Sequence, residues 1–265
     1  MAILQTQALT RRFGNLTAVN EMTISVERGE IFGLLGPNGA GKTTAIKIFT
    51  TLLPPTSGAA SVAGFDVVRD AASVRRLIGY VPQALSADGA LTGYENLLVF
   101  AKLYDIPAAE RKSRIADALA MVGLTDSADK LVRRYSGGMI RRLEIAQSTL
   151  HRPPLLFLDE PTVGLDPLAR KVVWEHIERL RAAHNTTIFL TTHYMEEADS
   201  LCSRVAIMHL GKIVGADTPD RLKASLGGDH ATLRDVFVRY AGDTLESGGS
   251  YHDSARGRRR ARRLG

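Results

Sequence analysis

The sequence has little that would place it within a membrane or in an oxidising compartment. Its 265 residues include a single cysteine, Cys202, so no disulfide can form within the chain. No stretch approaches the roughly 18–20 uninterrupted apolar residues of a membrane-spanning helix. Residues 1–5 lack the basic start and apolar run of a signal peptide. We therefore expect no membrane helix and no signal peptide, and a chain suited to a reducing cytosol.

The chain also has little net charge outside one short segment. Its formal charge is +6, but residues 247–265 hold six arginines and one acidic residue, Asp253. This segment carries +5, which leaves +1 for the other 246 residues, so we do not expect nucleic acid as a partner of the globular part. A short basic end is usually a solvated, disordered tail, and binding to anionic lipid headgroups or to RNA is the alternative.

What the sequence does contain is an alternation of short apolar runs and helical patterns. Runs that are continuously apolar, or nearly so, are typical of strands covered on both faces, as in a parallel sheet. Such runs occur at residues 31–35, 155–158, 187–190 and 205–208. Residues 167–183 predict a helix, and its expected apolar face is formed by Leu168, Val172, Ile177 and Leu180. The alternation of strand and helix predicts the α/β class.

The pattern changes to helix alone from about residue 85 to residue 152. Helices are predicted at residues 94–104, 108–122 and 137–150, and no run between them resembles a strand. A helical subdomain inserted at about residues 86–152 is the simplest description. We expect one main domain over residues 1–226, then a helical segment over 227–246 with a helix at 232–240, then the basic tail over 247–265.

The strongest local signal is a glycine-rich loop that matches the phosphate-binding pattern G-x-x-x-x-G-K-[ST]. A predicted buried strand precedes it, and a helix is expected to start near Gly41. The glycines let backbone N–H groups face phosphate oxygens, and the helix N-terminus adds positive potential. We expect Lys42 to reach the β- and γ-phosphates and the Thr43 hydroxyl to bind Mg²⁺. The predicted nucleotide-binding residues of this loop are Gly36, Pro37, Asn38, Gly39, Ala40, Gly41, Lys42, Thr43 and Thr44.

A second signal is an apolar strand that ends in two acidic residues, Asp159 and Glu160. The carboxyl end of a strand is where ligands bind in open α/β folds. We expect Asp159 to hold Mg²⁺ through water and Glu160 to polarise an attacking water molecule. The alternative is a core strand that merely ends in two acids. The presence of the glycine-rich loop favours the interpretation that both acids are functional.

The third signal is Tyr-Ser-Gly-Gly-Met at residues 135–139, just ahead of the acidic strand. Ser136 can cap the following helix, and the glycines expose its first N–H groups, which makes a second phosphate-binding helix end. Taken alone, Gln83 is interpreted as a polar loop residue, His193 as a structural histidine and Phe13 as a core aromatic.

In this order, the motifs resemble those of one family closely, the nucleotide-binding subunit of ATP-binding-cassette (ABC) transporters. The resemblance covers about residues 3–240. It implies a P-loop NTPase fold with a RecA-like mixed sheet core, an N-terminal antiparallel β part and an inserted helical subdomain. It implies that residues 36–44 are the Walker A motif, that residues 155–160 are Walker B, and that ATP and Mg²⁺ are the cofactors.

The resemblance also assigns roles to the weaker pieces. Gln83 becomes the Q-loop residue that contacts nucleotide and metal, His193 the catalytic switch histidine, and Phe13 the aromatic that stacks on adenine. Asp166 belongs to the D-loop at residues 163–166. The signature loop, which would act on the ATP of a partner subunit, comprises Ser136, Gly137, Gly138 and Met139.

The signature differs from the common L-S-G-G-Q at its first and last positions, Tyr135 and Met139. The stretch from Tyr135 to Ala146 is similar to that of the daunorubicin-resistance type of drug exporter, as are residues 191–199 and 232–237. In that subclass the cassette is a separate polypeptide that drives a separate membrane subunit. The resemblance therefore implies an ATPase that powers export of a hydrophobic small molecule from the cytoplasmic face of the cell membrane.

The partners implied by the resemblance are a second copy of the chain and an integral membrane subunit. One P-loop and one signature loop occur in the sequence, and in this family ATP is sandwiched between the P-loop of one copy and the signature of another. The alternatives are an importer subunit, a soluble cassette ATPase that acts on ribosomes or nucleic acid, and a nucleotide-binding regulator that does not hydrolyse ATP.

Overall fold

A computed structural model describes residues 1–227 and 231–241 of the chain. Its strands are β1 (Ala2–Phe13), β2 (Leu16–Met22), β3 (Ser25–Glu27), β4 (Ile31–Leu35), β5 (Ser57–Val62), β6 (Phe65–Asp66), β7 (Ile78–Val81), β8 (Leu155–Asp159), β9 (Thr187–Thr192), β10 (Arg204–His209) and β11 (Lys212–Asp217). Its α-helices are α1 (Lys42–Phe49), α2 (Ala71–Leu77), α3 (Gly93–Leu103), α4 (Ala108–Met121), α5 (Gly137–Thr149), α6 (Pro167–His184), α7 (Met195–Leu201), α8 (Pro219–Ala224) and α9 (Leu233–Ala241).

The larger sheet is mixed, with the strand order β11-β10-β4-β9-β8-β7. Its strands β10, β4, β9, β8 and β7 run parallel, while β11 pairs antiparallel with β10 at one edge. Every residue of β4, β8 and β9 is buried, as the continuous apolar runs predicted. The predicted α/β class and mixed core are therefore confirmed.

The second sheet is antiparallel and is built from the N-terminal part of the chain. Its order is β2-β1-β5-β6, with β3 also paired to β1. This sheet confirms the expected N-terminal antiparallel part.

An aromatic cluster on one face of the larger sheet forms the centre of the main core. The rings of Phe32 and Phe189 stack at 5.6 Å between centroids, and Phe49 of α1 meets Phe189 edge-on at 5.5 Å. Phe157 joins them from β8 at 5.6 Å from Phe189. Burying each ring contributes on the order of 1.5–3 kcal/mol, so this cluster helps to hold β4, β8, β9 and α1 together below the glycine-rich loop.

The helices between β7 and β8 pack on a core of their own. Leu97 and Ala101 of α3, Ile115 of α4 and Leu143 of α5 belong to this second apolar cluster. In the described residues 85–152, β pairing is limited to one isolated bridge between Thr92 and Leu131. This region is therefore helical, as its periodicity predicts.

The predicted apolar face of α6 is wrong in part. Leu168 is 73% exposed, and the buried residues of the helix are Val173, His176, Ile177 and Leu180. Since an α-helix turns by about 100° per residue, Leu168 and Ile177 lie on opposite sides of it. Leu168 therefore points to solvent in the first turn of α6.

The remaining expectations concern the chain's end and its relation to a membrane. The predicted helix at 232–240 is present as α9, one residue later at each end. The basic tail at residues 247–265 lies outside the described residues. No helix in the described ranges is both long and apolar enough to span a membrane.

Candidate functional site

The glycine-rich loop connects β4 to α1 at the carboxyl edge of the larger sheet. Gly39 and Gly41 adopt left-handed backbone angles, with φ of 84° and 108°. A Cβ on Gly41 would lie 2.0 Å from the carbonyl oxygen of Ala18, so only glycine fits where the loop turns into the helix. Since Gly41 is also the N-cap of α1, the first N–H groups of that helix face the loop.

Lys42 lies at the centre of the loop and is 4% exposed. Its Nζ donates to the carbonyl oxygens of Gly36 at 2.8 Å and Pro37 at 3.1 Å, and it forms an ion pair with Glu160 Oε1 at 3.0 Å. A buried ammonium group of this kind is stable only when it is paired and hydrogen-bonded. The loop thus brings the Lys42 ammonium group and the N-terminus of α1 close together, and both kinds of group bind phosphate.

Asp159 ends β8 beside the first turn of α1. The hydroxyls of Thr43 and Thr191 both donate to Asp159 Oδ1, at 3.2 Å and 2.6 Å. Burial raises the pKa of Asp159, and these two hydrogen bonds oppose the rise. The structure therefore brings together Thr43 and Asp159, the hydroxyl and carboxylate that the sequence pattern assigned to Mg²⁺.

The oxygen groups around Asp159 suit a magnesium ion bound together with phosphates. Mg²⁺ prefers hydroxyl and carboxylate oxygens and is usually held by one or two carboxylates, water and substrate phosphates. Within the described ranges, no group of three or more His, Cys, Asp or Glu side chains could hold a metal ion. Thr43 and Asp159 offer the kinds of oxygen ligand that such an ion prefers.

Glu160 follows Asp159 in a left-handed backbone conformation, with φ of 49°. Its N–H donates to both the backbone oxygen and the hydroxyl of Thr191, at 3.1 Å and 3.0 Å. The strand next to β8 therefore fixes the direction of the Glu160 side chain.

The Glu160 carboxylate is where distant parts of the sequence meet. Gln83 Nε2 donates to Glu160 Oε2 at 3.3 Å, and His193 Nδ1 lies 3.1 Å from the same oxygen. The other oxygen pairs with Lys42. Three residues that were assigned separately from the sequence thus contact one carboxylate that is 5% exposed.

A cleft of about 450 Å³ opens over these groups. Its walls are the glycine-rich loop with Thr44, the Gln83 and Glu160 side chains, and residues from β1 and β2. Phe13 is 44% exposed at the rim of the cleft, and the guanidinium of Arg11 lies 4.6 Å from its ring centroid. Phe13 therefore offers a flat surface beside the phosphate-binding loop.

Several residues of this site were not predicted from the sequence. Leu16 and Ala18 line the cleft from β2, and no local motif distinguishes them. Thr191 had a detectable signal, because it is a polar residue at the carboxyl end of a buried apolar strand, where ligand sites lie in α/β folds.

The signature loop does not join the cleft within one chain. None of residues 135–139 lies among the described residues that line it. Ser136 caps α5 by accepting from the Met139 N–H at 3.3 Å, and Ser136 and Gly137 are exposed. The N-terminus of α5 therefore points outward, available to another molecule.

The two positions that depart from the common signature serve the helical region. Tyr135 is buried, and its hydroxyl donates to the Ser127 carbonyl oxygen at 2.6 Å. Met139 is half-buried and packs against the apolar cluster of that region. Asp166 is exposed, caps α6 by accepting from the Ala169 N–H at 2.9 Å, and lies outside the cleft.

Comparison with known proteins agrees with this arrangement. A family model described as ABC transporter matches residues 19–163. The daunorubicin resistance ATP-binding protein DrrA2 of Streptomyces coeruleorubidus is 45% identical over 226 residues, which cover 85% of this chain and 70% of DrrA2. The linearmycin resistance ATP-binding protein LnrL of Bacillus subtilis (strain 168) is 40% identical over 86% of this chain and 73% of LnrL.

Solved structures give the same result. The structure of an ATP-binding subunit of an ABC transporter matches with a TM-score of 0.79 and 30% identity, over 90% of this chain and 99% of that chain. The sequence, the fold and the nucleotide cleft agree, and the chain belongs to the ABC transporter family.

Proposed function

We propose that this chain is the ATP-hydrolysing subunit of an exporter and that it drives a separate membrane-spanning subunit. The observation that supports this most directly is the convergence of Lys42, Gln83 and His193 on the carboxylate of Glu160. These groups lie under a cleft whose floor is a phosphate-binding loop. This convergence supports Glu160 as the general base that acts on water beside the terminal phosphate.

Each side chain has a distinct task in this proposal. Lys42 binds the β- and γ-phosphates, and Phe13 stacks on the adenine ring. Thr43 and Asp159, with Gln83, hold Mg²⁺, which neutralises phosphate charge when bound.

Glu160 accepts a proton from the attacking water in the proposed reaction. Its carboxylate is held in place by Gln83 and His193 on one oxygen, so the proton acceptor is oriented before the substrate arrives. His193 keeps that orientation and is the proposed contact of the γ-phosphate group.

The complete hydrolysis site forms between two copies of the chain. The exposed N-terminus of α5, with Ser136, Gly137, Gly138 and Met139, faces the ATP held by the P-loop of the other copy. A helix N-terminus attracts the γ-phosphate charge and loses that attraction once the phosphate leaves. ATP binding therefore closes the pair of chains, and hydrolysis opens it. Asp166 lies in the D-loop, which runs between the two sites.

The transported cargo is a hydrophobic small molecule such as a drug or an antibiotic. The relatives named above are resistance proteins for daunorubicin and linearmycin. We assign the ATP-binding domain to residues 1–226, with the helical subdomain at about 86–152, and place the chain at the cytoplasmic face of the membrane. The basic segment at 247–265 then adds an electrostatic contact with anionic lipid.

Export is tested in a drug-sensitive bacterium that expresses the chain together with a candidate membrane-spanning subunit. We expect daunorubicin efflux with the parent chain and none with Lys42→Ala. Phosphate release by the purified chain, measured at increasing chain concentration, tests the ATPase separately. Hydrolysis without efflux would contradict export alone, while a parent rate equal to that of Lys42→Ala would contradict the ATPase assignment.

A further inference from the structure

One face of α5 carries polar side chains that are buried as deeply as the core. Arg141, Glu144, Gln147 and Ser148 are 2%, 2%, 2% and 4% exposed. Their spacing of three or four residues places them on the same side of the helix. Because burying a polar group costs free energy unless it is hydrogen-bonded, these four side chains need partners nearby.

The partners of Arg141 are in the loop that follows β7. Its guanidinium donates to the carbonyl oxygens of Pro82 and Gln83, both at 2.7 Å, and pairs with Glu144 at 3.0 Å. The contact with Gln83 is made to the backbone of the residue whose side chain reaches Glu160. Arg141 therefore fixes the point from which the Gln83 side chain extends.

Glu144 holds the same loop a few residues further along. One of its carboxylate oxygens accepts from the N–H and the hydroxyl of Ser86 and from the N–H of Ala87 at 3.3 Å. The other oxygen accepts from Arg141. Both charged groups are thus satisfied, and together they bind four backbone groups between residues 82 and 87.

The loop at residues 83–86 needs these bonds to Arg141 and Glu144 because little of its surface is buried. The side chains of residues 83–86 are exposed, so they add little apolar packing that would hold the loop. Ser148 and Gln147 bind on either side of it, Ser148 to the Tyr80 carbonyl oxygen at 3.1 Å and Gln147 to Asn96 at 3.3 Å. The loop therefore takes its position mainly from α5.

We infer that Arg141 and Glu144 are positioning residues that fasten the Gln83 loop to the signature helix, so that Gln83 and Ser136 move as one unit. The inference rests on the proposed two-copy site, in which Ser136 acts on the partner's nucleotide while Gln83 acts on its own. When Ser136 contacts the partner's nucleotide, α5 then determines the position of Gln83 at the nucleotide of its own chain. The buried Arg141–Glu144 ion pair therefore links the two nucleotide sites of the assembled two-chain complex mechanically.

The principal test is Glu144→Gln, which keeps the shape of the side chain and removes its charge. The P-loop is untouched, so we expect ATP affinity of the isolated chain to stay within about twofold. Misplacement of Gln83 lowers kcat by roughly 10-fold to 10²-fold, with KM nearly unchanged. The matched control is Glu110→Gln, which breaks the exposed ion pair between Glu110 and Arg114 and leaves kcat at the parent value.

A double-mutant comparison separates positioning from a general loss of fold. In a Gln83→Ala background, Glu144→Gln has no Gln83 side chain left to misplace, and we expect less than about a twofold further loss of kcat. An equal loss in both backgrounds would overturn the inference. So would an unchanged kcat for Glu144→Gln in the parent background.

Glu144→Gln leaves the Arg141 charge buried without its carboxylate, which is strongly destabilising. If that variant does not fold, the combination Arg141→Met with Glu144→Leu removes both charges and fills the space with apolar atoms. We expect it to melt near the parent temperature, to bind ATP normally and to lose kcat as above. A folded double variant with parent kcat, or one that also fails to fold, would overturn the inference. A parent chain that hydrolyses no ATP would instead refute the proposed function.

Discussion

The N-termini of α1 and α5 both suit phosphate binding, and their surroundings differ sharply. At α1, Gly41 brings the helix end against a buried lysine and two buried carboxylates of the same chain. At α5, Ser136 caps the helix with its own hydroxyl and is exposed. One helix end is enclosed by the groups that complete a site, and the other faces outward.

The difference teaches that one helix end lies in a cleft completed by groups of its own chain, whereas the other is part of the exposed surface. Lys42 and Glu160 are at most 5% exposed, so their pairing is set by the fold itself. The exposed end of α5 contacts nothing in the cleft of its own chain within the described residues. A substitution at the N-terminus of α1 should therefore affect ATP binding, whereas one at the exposed N-terminus of α5 should affect only the assembled pair of chains.

The largest expected effect comes from Ser136→Arg. An arginine at this position fills the space meant for the partner's γ-phosphate and prevents closure of the pair. We expect hydrolysis to fall to background, a loss of roughly 10³-fold, comparable with removing a preorganised transition-state contact. ATP affinity of the isolated chain, measured by calorimetry, should stay within about twofold, because its own P-loop does not contact Ser136.

Lys42→Ala is the comparison for that measurement. It removes a charge-assisted contact with the phosphates and should weaken ATP binding by about 10²-fold. When Ser136→Arg and Lys42→Ala chains are mixed and pair with each other, both substitutions fall in one of the two ATP sites. The other site is intact, so part of the ATPase activity should return. If Ser136→Arg chains lose affinity as severely as Lys42→Ala chains, the two helix ends act in the same chain and the comparison fails.

A smaller effect is expected from Glu160→Gln, a substitution beside the enclosed N-terminus of α1. The substitution keeps the shape and removes the proton-accepting carboxylate, so turnover should fall by roughly 10²-fold. ATP binding should persist, and size-exclusion chromatography with ATP should show an accumulated dimer. Hydrolysis at the parent rate would place the general base on another residue.

The smallest effect is expected from deleting residues 247–265, which belong to neither helix end. Phosphate release should change by less than about twofold, because the last nucleotide-site residue of the sequence pattern is His193. Sedimentation with vesicles rich in anionic lipid should decrease, and salt should reduce binding of the parent chain in the same way. A truncated chain without ATPase activity would show that this segment takes part in the catalytic fold.

Local patterns predicted the enclosed helix end well. The strand at 31–35, Gly41 and Lys42 follow one another in sequence, so a single short window contains both the loop and its chemistry. The Walker B strand and Glu160 were predicted for the same reason.

Contacts between distant segments were not predictable in this way. The bonds from Arg141 and Glu144 to the Gln83 loop join residues nearly 60 positions apart, and no periodicity records them. The apolar face assigned to α6 was wrong at Leu168, because this residue lies on the opposite side of the helix from Ile177. Apolar residues indicate burial only when their helical phase agrees.

Thr191 has a consequence for protein engineering. This one hydroxyl donates to Asp159 and accepts from the Glu160 N–H, so both acids take their positions from β9, the neighbouring strand. A graft of β8 with its two acids onto another scaffold would carry the reactive groups without the residue that aims them. The smallest unit that carries the two acids in position is the pair of adjacent parallel strands β8 and β9.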